Sequence, residues 1–311
     1  MHSEYAVEPA AIGADWNTFR FLIEKFGFDK GRLISRLPPK WEKEVLAAAA
    51  DAGVSDIKLA SMVERLKATR KIRVVDFGRA YDPDNPWIEN ALREHAARPF
   101  RAIICSDKPT GCAEALVSDD CDEENALIEA QISRDVGRVA ADIADALFGL
   151  VAPATEVDIV DPFFDLRPAK GDFMGPLAAL LAKLSGAGFG GKTIKIHFRT
   201  HDSRPPDILL ARDAPRLTKG MIPVGFKLQL YEWEQIAGGE DFHDRFVLTN
   251  GGGLMIGAGP AAAGAAENAT FTLLADAHAQ VVRAKFSDGA TVYRRVGAIV
   301  QIDSSGNAKL I

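Results

Sequence analysis

His243 and Arg245 stand two residues apart in the run Asp-Phe-His-Asp-Arg-Phe-Val-Leu-Thr-Asn-Gly-Gly-Gly that starts at Asp241. The pair suits a phosphodiester. An imidazole changes charge near neutral pH, so it can attack phosphorus or protonate a leaving oxygen. A guanidinium is a permanent cation whose planar fork grips two non-bridging oxygens. Phe246 to Leu248 is apolar and β-favouring, which predicts a strand running into a glycine turn. Alternate strand residues share a face, so His243 and Arg245 are expected to project together, with Asp244, Phe246 and Leu248 on the other side. Gly251-Gly252-Gly253 reads first as a hairpin turn, because glycine takes positive φ without steric cost. The alternative is a nest of backbone N–H groups for an anion.

The spacing resembles the HxK(x)4D(x)6GS motif of the phospholipase D superfamily, whose members cleave phosphodiesters in lipids and nucleic acids through a phosphohistidine. On that motif His243 falls on the histidine, Arg245 on the lysine, Asn250 on the aspartate, Gly257 on the glycine and Ala258 on the serine. The His-Asp-Arg variant is similar to the phospholipase D-like domain that closes certain MIT-domain proteins, a branch regarded as phosphate-binding and membrane-associated. The resemblance implies His243, Arg245 and Asn250 at catalytic positions, Arg245, Gly251, Gly252 and Gly257 at phosphate-binding positions, and Asp161 and Asp244 in support. It also implies a mixed β-sheet flanked by helices, with the motif strand near its middle.

Each departure from the motif has a physical meaning. Arginine keeps the charge of lysine and adds a second donor direction. Asn250 cannot accept a proton as a carboxylate does, and Ala258 lacks a hydroxyl, so both changes weaken catalysis more than binding. One motif per chain implies, by the same resemblance, a homodimer in which His243 attacks and His243 of the partner subunit is the general acid. A second imidazole from His197 or His201 of the same chain is the alternative, and it requires the strand after Lys192 to lie beside the motif strand. Asp161 ends an apolar strand where ligands of α/β sheets gather. It either orients Arg245 or His243, or caps a turn while Pro162, Phe163 and Phe164 plug the core.

The elements that must position these groups are legible from periodicity. Helices are expected from Asp15 towards Gly27, after Pro38-Pro39 with Trp41, Val45, Leu46 and Ala49 at helical spacing, and from Asp56 with Leu59, Met62, Val63 and Leu66 on one stripe. Another follows the turn-rich Tyr81–Trp87. Arg32, Arg36, Lys40 and Lys43 form a basic strip, read first as a wet face and otherwise as a surface that meets a partner or phosphate. Arg101–Cys105 reads as a buried strand, and Val136, Val139, Ala140, Ile143, Leu147 and Leu150 as one long amphipathic helix. Val157–Asp161 (strand), Met174–Leu184 (helix), Lys192–Phe198 (strand) and Gly225–Trp233 (strand) then lead to the motif. The fold class is α/β (α+β overall): a helical region over 1–100, then a phospholipase D-like α/β domain over 101–311.

Composition bounds the rest. The chain has 311 residues, is 47% hydrophobic and 26% charged, and carries a net charge of −6. No apolar run is long enough to span a bilayer, and the opening residues lack the pattern of a secretory signal, so a cytoplasmic protein is expected. Cys105, Cys112 and Cys121 have no metal-ligand spacing, and no metal or cofactor is expected. Acids crowd one stretch, including Asp119, Asp120, Asp122, Glu123 and Glu124, which reads as a solvated loop. Three classes of function follow: a module holding phosphates of nucleic acid or, less favoured, a lipid head group; a metal-independent homodimeric phosphodiesterase or nuclease; and a scaffold whose helical front recruits a partner.

Overall fold

The computed structural model describes residues 1–122 and 124–311, with the side chains of all of these but 69–71. The chain divides into two compact units, His2–Ile132 and Ser133–Ile311, with Met1 grouped with the second. Helices and sheets alternate in both, the α/β character expected from the sequence.

In the first unit the order is β1 (Ser3–Val7), α1 (Pro9–Gly13), α2 (Trp16–Ile23), β2 (Arg32–Ser35), α3 (Trp41–Asp51), α4 (Asp56–Arg73), β3 (Val74–Val75), α5 (Trp87–Ala97), β4 (Ala102–Ile104) and β5 (Ala115–Leu116). The strands form one sheet in the order β3-β2-β1-β4-β5, parallel throughout. Both faces are covered, as parallel sheets require. Tyr5, Val7 and Ile34 point to one side, where Phe19 and Leu22 of α2, Trp41 and Val45 of α3 and Met62 of α4 pack. Ala6 and Ile103 point to the other, where Ala91 of α5 and Phe100 pack. The four helices expected here are present. The region is not simply helical, because short strands of two to five residues alternate with them. The division also lies at 132/133 rather than 100/101. The physical reason is that β4 pairs with β1, a partner about a hundred residues earlier that no local pattern can indicate. The acidic stretch runs through this unit with Asp119, Asp120, Asp122 and Glu124 exposed, while Glu123 lies outside the described residues. Arg32 is buried and Arg36 faces Glu42 across 3.8 Å, so the basic strip is not one continuous face.

The second unit runs β6 (Ser133–Gly137), α6 (Ala140–Val151), β7 (Val157–Val160), α7 (Met174–Gly186), β8 (Thr193–Arg199), α8 (Asp207–Leu217), β9 (Lys227–Gln235), β10 (Phe246–Thr249), β11 (Gly253–Ile256), β12 (Asn268–Leu273), α9 (Asp276–Ala284), β13 (Tyr293–Asp303) and β14 (Ala308–Leu310). The expected long helix from Val136 is two elements. Val136 belongs to β6, which pairs with β12, and the helix starts only at Ala140. All nine strands make one mixed sheet in the order β14-β13-β9-β8-β7-β10-β11-β12-β6. β7, β8 and β9 are parallel, linked by α7 and α8, whereas β10 and β11 form an antiparallel hairpin beside β7.

Helices cover both faces of the middle of this sheet. Ile143 and Leu147 of α6 and Leu177 and Leu180 of α7 meet Ile159 and Ile196 on one side. Val160, Trp233 and Phe246 meet Ala279, Val282 and Phe286 on the other. On that second side a polar chain crosses the core. Trp233 Nε1 donates to His197 Nδ1 at 3.0 Å, His197 Nε2 lies 3.0 Å from Asp158 Oδ1, and Arg283 Nε donates to Asp158 Oδ2 at 2.7 Å. Since Nδ1 accepts, the neutral ring carries its proton on Nε2 and donates it to the carboxylate.

Candidate functional site

Topology decides which motif residues meet. β10 runs antiparallel to β7, with Phe246 opposite Val160, so residues just before β10 lie at the sheet edge where the parallel strands β7 and β8 end. His243, Asp244 and Arg245 therefore arrive beside the turn Asp161-Pro162-Phe163 after β7 and beside Arg199, the last residue of β8. The return strand β11 brings Gly257, Ala258 and Gly259 to this edge, since Ile256 N–H donates to the Arg245 carbonyl at 2.9 Å. In open α/β sheets this carboxyl edge is where ligands bind.

Phe163 is the centre of the arrangement. It is 44% exposed. The Arg245 guanidinium carbon lies 4.9 Å from the ring centroid and that of Arg199 5.7 Å. The His243 ring meets it edge-on, with centroids 6.4 Å apart. His243 and Arg245 thus do share one surface, although both precede the strand and their orientation comes from the segment before β10 rather than from strand alternation. Phe163 also lines a hollow of about 250 Å³ with Lys170, Arg199, His201, Arg204 and Asp165. Phe163 is the site residue that the motif does not indicate; its signal in the sequence is the aromatic pair after Asp161-Pro162, which reads equally well as a core plug. Phe164 is indeed buried, whereas Phe163 is not.

The cations are lightly held. Arg245 has one hydrogen bond among the described residues, from Nη1 to the Gly257 carbonyl at 3.1 Å. Arg199 Nη1 makes only long contacts, 3.5 Å to Asp241 Oδ1 and 3.4 Å to the Phe242 carbonyl. His243 has a side chain 62% exposed, with Nδ1 3.7 Å from Asp244 Oδ1. Asp244 is therefore exposed beside the imidazole rather than packed with Phe246 and Leu248. The regular ladder starts only at Phe246, so strand alternation does not govern Asp244.

Asp161 is buried under this surface and caps the turn, as the second expectation has it, although only Phe164 of the aromatic pair is buried. Its Oδ1 accepts the Phe163 amide at 2.9 Å, a turn cap, while its carboxylate faces Arg245. Burial pushes its pKa up to about 6, against the pull of the Phe163 amide and of Arg245, Arg204 and Arg138. Gly259 permits the close approach. Its φ is +82°, and a Cβ there would stand 2.8 Å from Asp161 Oδ2 and 2.9 Å from Arg245 Cδ. Arg204 ties down the Asp161–Phe164 turn through the Phe164 and Pro162 carbonyls.

Several expected site residues lie elsewhere or are already engaged. Asn250 lies just past the far end of β10, about 13 Å of strand away from the start of that element, where its Oδ1 accepts the amides of Thr155 and Glu156. It is a loop clamp, not a partner for His243. The Gly251 and Gly252 amides at that same end both donate to Thr249 Oγ1 at 3.1 Å, so the hairpin reading holds and no anion nest is open. Gly257 is at the right edge, but its amide donates to the Thr270 carbonyl at 3.0 Å; it serves through its carbonyl on Arg245 rather than as a phosphate donor. His197 is 0% exposed within the core chain described above, and β7 separates β8 from β10. It cannot be the second imidazole. His201 is exposed and lines the Phe163 hollow, its Nδ1 accepting the Ser203 amide at 3.1 Å.

Among the described residues no helix is long and apolar enough to cross a membrane. The three thiols are unpaired, and burial pushes those of Cys105 and Cys121 up to about 11 and about 12, which makes them poor nucleophiles. No protein-family profile matches the chain, and no curated protein sequence matches it.

Proposed function

We propose that the second unit is a phospholipase D-like module that binds phosphate groups of a phosphodiester, nucleic acid rather than lipid. The observation that carries this reading is the exposed Phe163 ring bordered by Arg245, Arg199 and His243. Loosely held guanidinium groups supply charge-assisted donors for phosphate oxygens. The ring between them supplies a face on which an unpaired base stacks, a contact worth about 1–3 kcal/mol per base. Replacing Arg245 and Arg199 together by Ala should weaken binding of a labelled single-stranded oligonucleotide at least tenfold and flatten its salt dependence, as read by fluorescence anisotropy. His243→Ala should spare most of it. Unchanged oligonucleotide affinity in the double variant, or binding only to anionic vesicles, would overturn the reading.

Cleavage is the second reading, favoured by the exposure of His243 and by its carboxylate neighbour Asp244. It places His243 on phosphorus, with His243 of the partner subunit as the acid in a homodimer and Arg245 neutralising the developing charge. The distance of Asn250 and the missing hydroxyl at Ala258 weigh against it. Incubation of the same oligonucleotide in EDTA, with His243→Ala as control, separates holding from cutting.

A further inference from the structure

The first unit carries a basic groove of about 540 Å³ that the phospholipase D resemblance does not touch, lined by Arg20, Phe21, Glu24, Lys25, Lys30 and Arg32. Its origin lies in α2. The helix is capped by Asp15, whose Oδ2 accepts the amides of Asn17 and Thr18 at 2.8 Å each. It buries Phe19, Leu22 and Ile23. Arg20, Phe21 and Glu24, related by three and four residues, then fall on the opposite face. Phe21 is 50% exposed there, with Lys25 Nζ 4.5 Å above its ring.

Arg32 makes the groove more than a wet surface. It is 8% exposed, held by Nε on the Lys25 carbonyl at 2.6 Å and Nη1 on the Ile128 carbonyl at 2.7 Å. Among the described residues it has no carboxylate partner, although a buried cation is costly unless paired. Carbonyls orient it without neutralising it. Of the nearby acids, Glu24 is bound by Arg65 at 2.7 Å and Asp29 by Lys30 at 3.3 Å, while Asp120 and Asp122, which with Lys25 act on Cys121, do not line the groove. In a chain of net charge −6 this is a local excess of positive charge around a fixed guanidinium and an exposed ring.

We propose that this groove is a binding site for single-stranded nucleic acid, with a backbone phosphate on Arg32, further phosphates on Arg20, Lys25 and Lys30, and a base on Phe21. Positively charged grooves studded with aromatic rings hold single strands in this way, largely without sequence preference. The site stands independently of the reading of the second unit.

The test uses the full chain and a fluorescein-labelled oligothymidylate in anisotropy titrations over a range of salt. Arg20 and Lys30 are exposed, so R20Q/K30Q leaves the fold intact. It should lower affinity about tenfold and reduce the slope of log affinity against log salt by roughly 1.4, two phosphates at about 0.7 each. Phe21→Ser should lower affinity at least fivefold with the slope unchanged, and Arg32→Met, checked for folding by circular dichroism, should lower it further. The same substitutions made in an Arg199→Ala, Arg245→Ala background should lose affinity again. Groove variants that bind like the parent, with the parent's salt slope, overturn the proposal whatever the second unit does. A loss equal for single-stranded and duplex probes on Phe21→Ser overturns the stacking role.

Discussion

At the residue scale, Asp161 is the group of the candidate site whose surroundings conflict with its chemistry. A carboxylate shut away from water prefers its proton, yet Arg245, Arg204 and Arg138 draw it towards ionisation, and burial prevails enough to bring the pKa to about 6. The folded state therefore keeps a proton that the unfolded chain releases near 3.8. Stability from this group is full below that value, falls as pH rises through about 6, and stays low above it. Asp161→Asn preserves the acceptor for the Phe163 amide without the charge. It should be roughly 1–3 kcal/mol more stable than the parent at pH 8, with the gain vanishing in acid, as measured by urea unfolding at the two pH values. No gain at pH 8 would mean that the three arginines already compensate the charge in full. His243 and Arg245 were legible in the sequence as candidates because their types and spacing suit phosphate chemistry. Phe163, Arg199 and Gly259 were not, because what distinguishes them is being near one another, and they come from three separate segments of the chain.

At the element scale, the decisive fact is that β7 carries an aspartate through the middle of the sheet. Burial pushes Asp158 up, but the hydrogen bonds from His197 and Arg283 outweigh it and hold the carboxyl below its usual range. Burial likewise holds His197 below its ordinary value, against the pull of Asp158. Both groups fold with depressed pKa values. His197 gives stability that is complete above about 6.5, its unperturbed value, and declines as pH falls below it, while Asp158 adds a further loss below about 3.8. Asp158→Ala would strand a buried imidazole and part of a guanidinium. It should cost about 3–5 kcal/mol, checked by urea unfolding at neutral pH with His197→Phe as a second variant whose stability declines less steeply than the parent's between pH 6.5 and 5, the remaining decline coming from the buried His2. Strands β7, β8 and β9 and helix α7 were readable from runs of apolar residues of the right length. The split of the stretch from Val136 into β6 and α6 was not, because its apolar spacing also suits a continuous helix and only the pairing of β6 with β12 decides between them.

At the scale of the whole molecule, the division at Ile132/Ser133 separates two sheets, each with its own core. A fragment beginning at Ser133 keeps all nine strands of the second sheet and should be soluble and monodisperse by size-exclusion chromatography. One beginning at Arg101 carries β4 and β5 without β1, hence unpaired edges and apolar side chains, and should aggregate. Equal behaviour of the two would place the real boundary earlier. Residue chemistry, helix periodicity and the strands leading to the motif are local properties, set by neighbours within a turn or two, and so the chain alone determined them. The parallel sheet of the first unit, the separation of Asn250 from His243 by the length of β10, the burial of His197 and the exposure of Phe163 depend on strands paired across tens of residues. Those pairings are chosen by the packing of the whole core, so only the tertiary structure decided which of the chemically capable residues stand together.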